Sequence, residues 1–233
     1  MNKPLGRKAY GSIGHLPGSK TGPKDKTVHQ GQANICTSKS RDKLDEIIVT
    51  EKLDGSNVAI ARIGNKIFPL TRRGYLANSS PFKQHHLFAS WALDNIHWLF
   101  NILSDGEVLH GEWLAQAHGT IYDLYHPPFV AFDITKGGKR ISYLEFDWRC
   151  MEVGVVRART IHKGGPVSIE KIKSRLHISG HGVAEGEIVE GAVWRVERKG
   201  RFDFMAKWVD PRKETGKYLP KISGKNEIWN WRL

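Results

Sequence analysis

Two lysines and two carboxylates interrupt segments that otherwise read as buried strands: Lys52 in "VTEKLDGSNVAIAR", Glu112 in "HGEWL", Glu190 in "VEGAVWR" and Lys207 in "FMAKWV". One such residue is ordinarily a strand end facing water. Four together imply convergence, because unpaired charge is expensive to bury and paired charge must meet something. Lys52 and Lys207, with Arg72 and Arg73 of "TRRG", supply positive charge, and Glu112 and Glu190 supply negative charge. That combination suits a triphosphate with a divalent cation. An amine attacks only when neutral, and with an ordinary pKa near 10.4 fewer than about one lysine in a thousand is neutral at pH 7. Burial and nearby cations, here Lys207 and a bound Mg²⁺, would lower that value for Lys52.

The elements that must hold these residues follow from pattern. Residues 46–73 alternate apolar and polar positions around "IGNK", where Gly64-Asn65 is a two-residue hairpin signal. Lys52 therefore ends one strand and a hairpin follows. "SPFKQHHLFASWALDNIHWLFNIL" carries Phe88, Trp91, Ala92, Leu99 and Ile102 at helical spacing, which predicts one helix of about six turns with Ser80 as cap and Pro81 first. Further strands are predicted at "EVLHGEWL", "PFVAFDI", "EIVEGAVWRVER" and "RFDFMAKWV", with helices at "SYLEFDWRCMEV" and "VSIEKIKSRLHI". Strands dominate in hairpin order, so the expectation is an α+β domain on antiparallel sheets. Residues 1–45 read as a loop-rich segment packed on a catalytic domain that spans 46–233.

Composition narrows the partner. In a chain of 233 residues, 36 Lys and Arg against 24 Asp and Glu give a net charge of +12, and 10% of residues are aromatic, eight of them Trp. Excess positive charge with interleaved rings suits a polyphosphate such as a nucleic acid, through counterion release and base stacking. Cys36 and Cys150 lie far apart with no CxxC partner, so neither a zinc site nor a disulfide framework is indicated. "MNKPLGRKAYGS" lacks the apolar core of a signal peptide and no apolar run approaches the roughly 20 residues of a membrane span. A soluble cytoplasmic protein is expected. "GHLPGSKT" imitates a P-loop, but Ser19 separates Gly18 from Lys20 and no strand precedes the loop. His85, His86, His97, His110, His118 and His126 have no paired spacing on one face, and no metal site is built from them.

The ordered set "EKLDGSN", "TRRG", "LHGEWL", "FVAFDI", "VEGAVWR" and "FMAKWV" resembles the nucleotidyltransferase motifs of the covalent ligase and capping-enzyme superfamily, and most of all the RNA ligase 2-like group of ATP-dependent RNA ligases. The likeness runs from about 46 to 210. It implies an antiparallel-sheet nucleotidyltransferase fold, an ATP-grasp-like ligase adenylation domain. It implies that Lys52 forms the covalent lysyl-AMP, that Gly55 lets the backbone approach the nucleotide, and that Glu51 contacts adenine. Asn57 stands where DNA ligases and capping enzymes usually carry a basic residue. By the same resemblance Arg72 binds the nucleotide, Glu112 meets the ribose, Phe132 stacks on adenine and Lys207 contacts the α-phosphate. Glu190 is the metal-linked carboxylate, with Glu112 as a second candidate ligand. ATP, with Mg²⁺ or Mn²⁺, is the implied substrate, and RNA with 5′-phosphate and 3′-hydroxyl ends the implied partner.

Two departures bear on this. The last motif usually offers two lysines one residue apart, whereas "AKWV" puts Val209 in the second place, leaving Lys217 or Lys221 as candidates to reach in. No C-terminal accessory domain is evident after the motifs, so sealing is expected to draw on an accessory domain or subunit in trans. The alternatives are a DNA ligase, a GTP-using guanylyltransferase, or a nucleic-acid-binding module without activity; retention of Lys52, Glu112, Glu190 and Lys207 together speaks against the last. The lysine-rich stretches "GSKTGPKDK" and "DPRKETGKYLPK" are expected to form the RNA surface.

Overall fold

The computed structural model describes residues 3–231. In chain order it forms β1 (Gly14–His15), α1 (Gln30–Thr37), β2 (Asp45–Lys52), β3 (Ser56–Ile63), β4 (Lys66–Thr71), α2 (Lys83–Asp94), α3 (Ile96–Ile102), β5 (Glu107–Trp113) and β6 (Phe129–Lys136). It continues with β7 (Lys139–Arg140), α4 (Tyr143–Val153), β8 (Thr160–Gly164), α5 (Ile169–Lys173), β9 (Gly191–Arg198), β10 (Arg201–Val209) and α6 (Pro220–Ser223). These elements make two units, each from three stretches of chain. Unit 1 is Met1–Gly11, Ser56–Gln116 and Pro127–Arg157; unit 2 is Ser12–Gly55, Ala117–His126 and Ala158–Leu233.

Unit 1 is built on an antiparallel sheet of order β4-β3-β5-β6-β7. The expected hairpin closes β3 on β4 with Ile63 opposite Lys66, and Gly64 takes a φ of 57° that the tight turn requires. One face carries Trp113 and Phe129, which meet Phe88 and Trp91 of α2 at ring separations of 5.1–6.0 Å. The other face carries Ala59, Ala61, Leu70 and Val108, with Ala9 from the N-terminal stretch.

Unit 2 is built on a sheet of order β1-β10-β9-β2-β8, antiparallel except for the short β1–β10 pair. Alternation along β2 sends Ile47 and Val49 to one face, where they pack with Trp194, Val196, Ala206 and Trp208 and with Ala33 and Cys36 of α1. Both indole N–H groups are satisfied by backbone carbonyls, Trp194 at Val167 (3.2 Å) and Trp208 at Gly18 (3.1 Å). The fold is thus the antiparallel-dominated α+β architecture that the pattern of strands led one to expect.

The structure departs from the sequence reading in local ways. The helix read across 80–102 is two helices broken at Asn95, whose backbone N–H and side-chain amide both donate to the Trp91 carbonyl, at 3.1 and 2.8 Å, and so close the end of α2. It starts at Lys83 rather than Pro81, and its cap residue is Phe82 rather than Ser80, whose hydroxyl accepts only from Phe82 N, outside the helix, at 3.3 Å. Within 1–45, read as loop with short strands, α1 appears. Its cap is His29, which accepts from Gln32 N, and only Ala33 and Cys36 are buried, so neither a standard cap residue nor a wide apolar stripe announces it. Glu190, read as an in-strand carboxylate, stands one residue before β9 begins. Among the described residues no helix is long and apolar enough to cross a membrane.

Candidate functional site

Register in the unit 2 sheet fixes what surrounds Lys52. It is the last residue of β2 and lies opposite Gly191, the first residue of β9. Directly opposed residues share a face, and residues two apart on a strand share it too. Lys52, Thr50, Val193 and Lys207 therefore lie on one face, because Thr50 pairs with Val193 and Val193 with Lys207. His15 of β1 pairs with Lys207 in turn. Val209 is opposite Gly191, straight across the sheet from Lys52.

Glu190 precedes Gly191, at a point where β9 packs closely on β10. With φ at 155°, a Cβ at Gly191 would stand 1.9 Å from the Trp208 carbonyl oxygen, so no other residue fits against β10. Lys52 Nζ donates to Glu190 Oε2 at 2.5 Å, with the two side chains only 22% and 15% exposed. Burial pushes the Glu190 carboxyl up from its ordinary range; the Lys52 charge opposes this and the Asp54 charge adds to it.

Behind Lys52 the chain turns through Leu53, Asp54 and Gly55 before unit 1 begins. Asp54 Oδ2 accepts from Gly119 N at 3.0 Å and Thr120 Oγ1 at 3.4 Å, and Asp54 N donates to the phenol oxygen of buried Tyr122 at 3.0 Å. Lys213, 2% exposed, pairs with Asp54 Oδ2 at 3.2 Å and donates to the Gly119 carbonyl and Thr120 hydroxyl. Neither Lys213 nor this use of Asp54 is marked in the sequence, where "PRKETGKYL" reads as solvated. Of the lysines considered there, Lys217 pairs with Glu187 at 3.1 Å and Lys221 is exposed on α6.

Glu51 belongs to the opposite face from Lys52, by the same alternation. It is buried, and both carboxylate oxygens are taken: Ser179 Oγ donates to one at 2.7 Å and Gly180 N to the other at 2.8 Å. Burial raises its pKa, against the pull of those two hydrogen bonds.

In unit 1, Asn57 of β3 lies opposite Glu112 of β5. Continuing the β3–β4 ladder one residue beyond Val58 opposite Thr71 sets Arg72 on the other side of Asn57, so Arg72, Asn57 and Glu112 form one row on one face. The Arg72 carbonyl accepts from Ala9 N and Tyr10 N at 3.1 and 3.3 Å, which fastens the N-terminal stretch beside that row. Phe132 stands unpaired where the register of β5 and β6 shifts, between Ala131 opposite Gly111 and Asp133 opposite His110. Its ring meets Tyr10 edge-on at 5.2 Å, whereas Phe129 faces the aromatic cluster on the other side. Asn57 Oδ1 is buried without a hydrogen-bond partner, an acceptor ready for a ligand donor. The structure thus gathers Lys52, Glu190 and Lys207 in unit 2, and Arg72, Asn57, Glu112 and Phe132 in unit 1.

A divalent ion fits the donor set. Mg²⁺ typically takes one or two carboxylates and leaves its remaining positions to phosphate oxygens and water. Glu190, held by Lys52, offers one such carboxylate without a preformed cage.

Comparison with known proteins bears on the family and the fold. Residues 45–209 match the family model described as RNA ligase. Among solved structures, the Naegleria gruberi RNA ligase with PPi is similar at 18% identity and a TM-score of 0.56, over 91% of this chain and 62% of that one. A lysine-to-alanine mutant of the same ligase with ATP and Mn gives 17% and 0.55 over the same shares. A lysine-to-methionine mutant with AMP and Mn gives 17% and 0.53, covering 94% of this chain and 64% of that one. This chain therefore spans under two thirds of the length of that ligase. The search of curated proteins found no significant match.

Proposed function

The chain belongs to the RNA ligase family, and on that premise we propose that it joins RNA ends by nucleotidyl transfer through Lys52. The observation that carries the reading is the end of β2, where the Lys52 amine is held on Glu190 with Lys207 on the same sheet face. In the first step the Lys52 Nζ lone pair forms a bond to the α-phosphorus of ATP while the bond to the pyrophosphate oxygen breaks. The proton leaving Nζ has an acceptor 2.5 Å away in Glu190 Oε2, whose affinity for a proton burial raises. Lys207 holds negative charge developing on the α-phosphate. In the second step an oxygen of the RNA 5′-phosphate attacks the same phosphorus and releases Lys52. In the third, a 3′-hydroxyl oxygen attacks the RNA phosphorus, releases AMP and leaves one phosphodiester.

Glu190, with Glu112 as a second candidate on unit 1, would hold Mg²⁺ or Mn²⁺. When bound, that ion neutralises charge on the transferring phosphate. Arg72, Asn57, Glu112 and Phe132 are assigned to the nucleotide, with Phe132 as the stacking ring and Gly55 as the point of close backbone approach. Glu51 is kept as the proposed adenine contact, together with the 179–180 segment that its carboxylate holds. The adenylation domain is taken as 46–233, with 1–45 as its N-terminal segment. An accessory domain or subunit in trans and a cytoplasmic setting are part of the proposal.

Incubation with labelled ATP or GTP and Mg²⁺, followed by a denaturing gel, tests the reading. Covalent label from ATP that disappears in Lys52→Ala is expected. Label from GTP alone would indicate a guanylyltransferase, absence of label an inactive binding module, and sealing of DNA nicks in preference to RNA a DNA ligase.

A further inference from the structure

We propose that Lys213 is a positioning residue for the nucleotidyl-transfer step, holding the turn that carries Lys52 by clamping Asp54 to the 119–120 backbone. The proposal rests on the reading of Lys52 as the nucleophile. An ammonium group has three N–H donors, and in Lys213 three acceptors face it: Asp54 Oδ2 at 3.2 Å, the Gly119 carbonyl and Thr120 Oγ1. The Thr120 hydroxyl passes its own hydrogen to Asp54 Oδ2 at 3.4 Å, and Gly119 N donates to the same oxygen at 3.0 Å. A closed network results, in which Lys213 and Asp54 each hold the other three members and Gly119 and Thr120 each hold both of them.

The network is packed as well as bonded. A Cβ at Gly119 would stand 2.4 Å from the Glu214 carbonyl oxygen and 2.6 Å from Asp54 Oδ2, so the three segments approach as closely as backbone allows. Lys213 is itself fixed, since its N–H donates to the Asp210 carbonyl at 3.0 Å and its carbonyl accepts from Lys20 Nζ. Asp54 lies two residues beyond Lys52, and its own N–H is held by Tyr122. A clamp on Asp54 therefore limits where the end of β2 can move.

A buried ion pair is a poor way to gain stability alone, because apolar residues of similar size often do as well or better. What a charge pair adds is direction. That is useful two residues from a nucleophile. The last motif also lacks its usual second lysine, with Val209 buried in that place. Lys213 restores a second cation close by in the chain, spent on Asp54 rather than on phosphate.

The test is single-turnover formation of lysyl-AMP, in which the rate constant and the final fraction labelled are separate readouts. For Lys213→Met a rate constant lower by about 10- to 100-fold is expected, the size of effect a misplacement near 1 Å produces, with the final fraction labelled unchanged. Thr120→Val opens the network without removing a charge, and a smaller loss in the same rate constant is expected. If Lys213→Met does not fold, Thr120→Val decides alone. A purely structural role predicts the opposite split, a reduced labelled fraction at the wild-type rate constant, and that result or undiminished rates would overturn the proposal. Wild-type protein that takes no label from ATP would instead refute the reading of Lys52.

Discussion

The lysines of β2 and β10 and the lysines of the 210–221 segment have the same side chain, and the sequence treats them oppositely. Lys52 and Lys207 sit among apolar neighbours in alternating strands, so their chain context alone makes them conspicuous. Lys213 sits in "DPRKETGKYLPK", where charge is the norm, yet it is more deeply buried than Lys52. The difference teaches that a functional charge is visible in sequence only when its chain neighbours make it anomalous. Lys213 is buried by its partner Asp54, which lies in another stretch of the chain altogether.

The sharpest way to break this contrast is to remove one lysine of each kind. Lys52→Ala is expected to abolish covalent labelling by ATP, whereas Lys217→Ala, which loses its pair with Glu187, should leave labelling within about 3-fold, since partly exposed pairs contribute on the order of 1 kcal/mol or less. Equal losses would show that the tail lysines belong to the chemistry.

The two phenylalanines of β6 sharpen it within one strand. Phe129 is 1% exposed in the cluster with Phe88, Trp91 and Trp113, so Phe129→Ala should cost about 3–5 kcal/mol in urea unfolding. Phe132→Ala should cost little stability and weaken apparent ATP affinity by about 1–3 kcal/mol, the usual range for a stacked base. An equal effect of both on ATP affinity would remove Phe132 from the nucleotide.

A strand-borne charge with a purely structural task supplies the third comparison. Asp45 opens β2 with its side chain fully buried, against Arg41 at 2.8 Å and Arg198 at 2.9 Å. Burial pushes its pKa up, but hydrogen bonds from Arg41 and Arg198 prevail and hold it at about 2. The folded value lies below the unfolded one, near 3.9, so its contribution to stability is complete above that value and is lost as pH falls through about 2. Urea midpoints measured down this range should fall less steeply in Asp45→Asn, while lysyl-AMP formation at neutral pH persists.

The smallest effect concerns the N-terminal lysines. Lys24 and Lys26 are exposed, but the Lys20 amine is engaged by the Lys213 carbonyl and its N–H by Val209 at 2.9 Å. Replacing Lys24 and Lys26 by Ala should flatten the slope of log RNA affinity against log salt by about 0.7 each. Lys20→Ala should leave that slope alone. A slope that responds only to Lys20 would reverse the assignment.

Much of the fold was legible because strands announce themselves by alternation: the β3–β4 hairpin, β5, β6 and β10 fall where the pattern put them. Lys52, Glu112 and Lys207 likewise lie in the strands expected for them, while Glu190 falls one residue outside β9. What stayed hidden depends on tertiary partners. Glu51 adjoins Lys52 in sequence but is turned away by the pleat and captured by Ser179 and Gly180. "GHLPGSKT", dismissed as a nucleotide loop, instead runs beside β10, with His15 opposite Lys207. Asn95 divides α2 from α3 at a point that the helical spacing of the apolar residues does not mark.

The order of strands in unit 2 also governs how the protein is made. β2 emerges early from the ribosome, yet both of its neighbours, β8 and β9, are translated only after most of unit 1. Until Thr160–Gly164 appears, an apolar strand ending in Lys52 has two unpaired edges, and until Gly191–Arg198 appears it still has one, the condition that favours association between nascent chains. The middle of that sheet can close only when β9 enters it. Folding of unit 2 is therefore expected to be slow and post-translational, with chains stopped before Gly191 prone to aggregate.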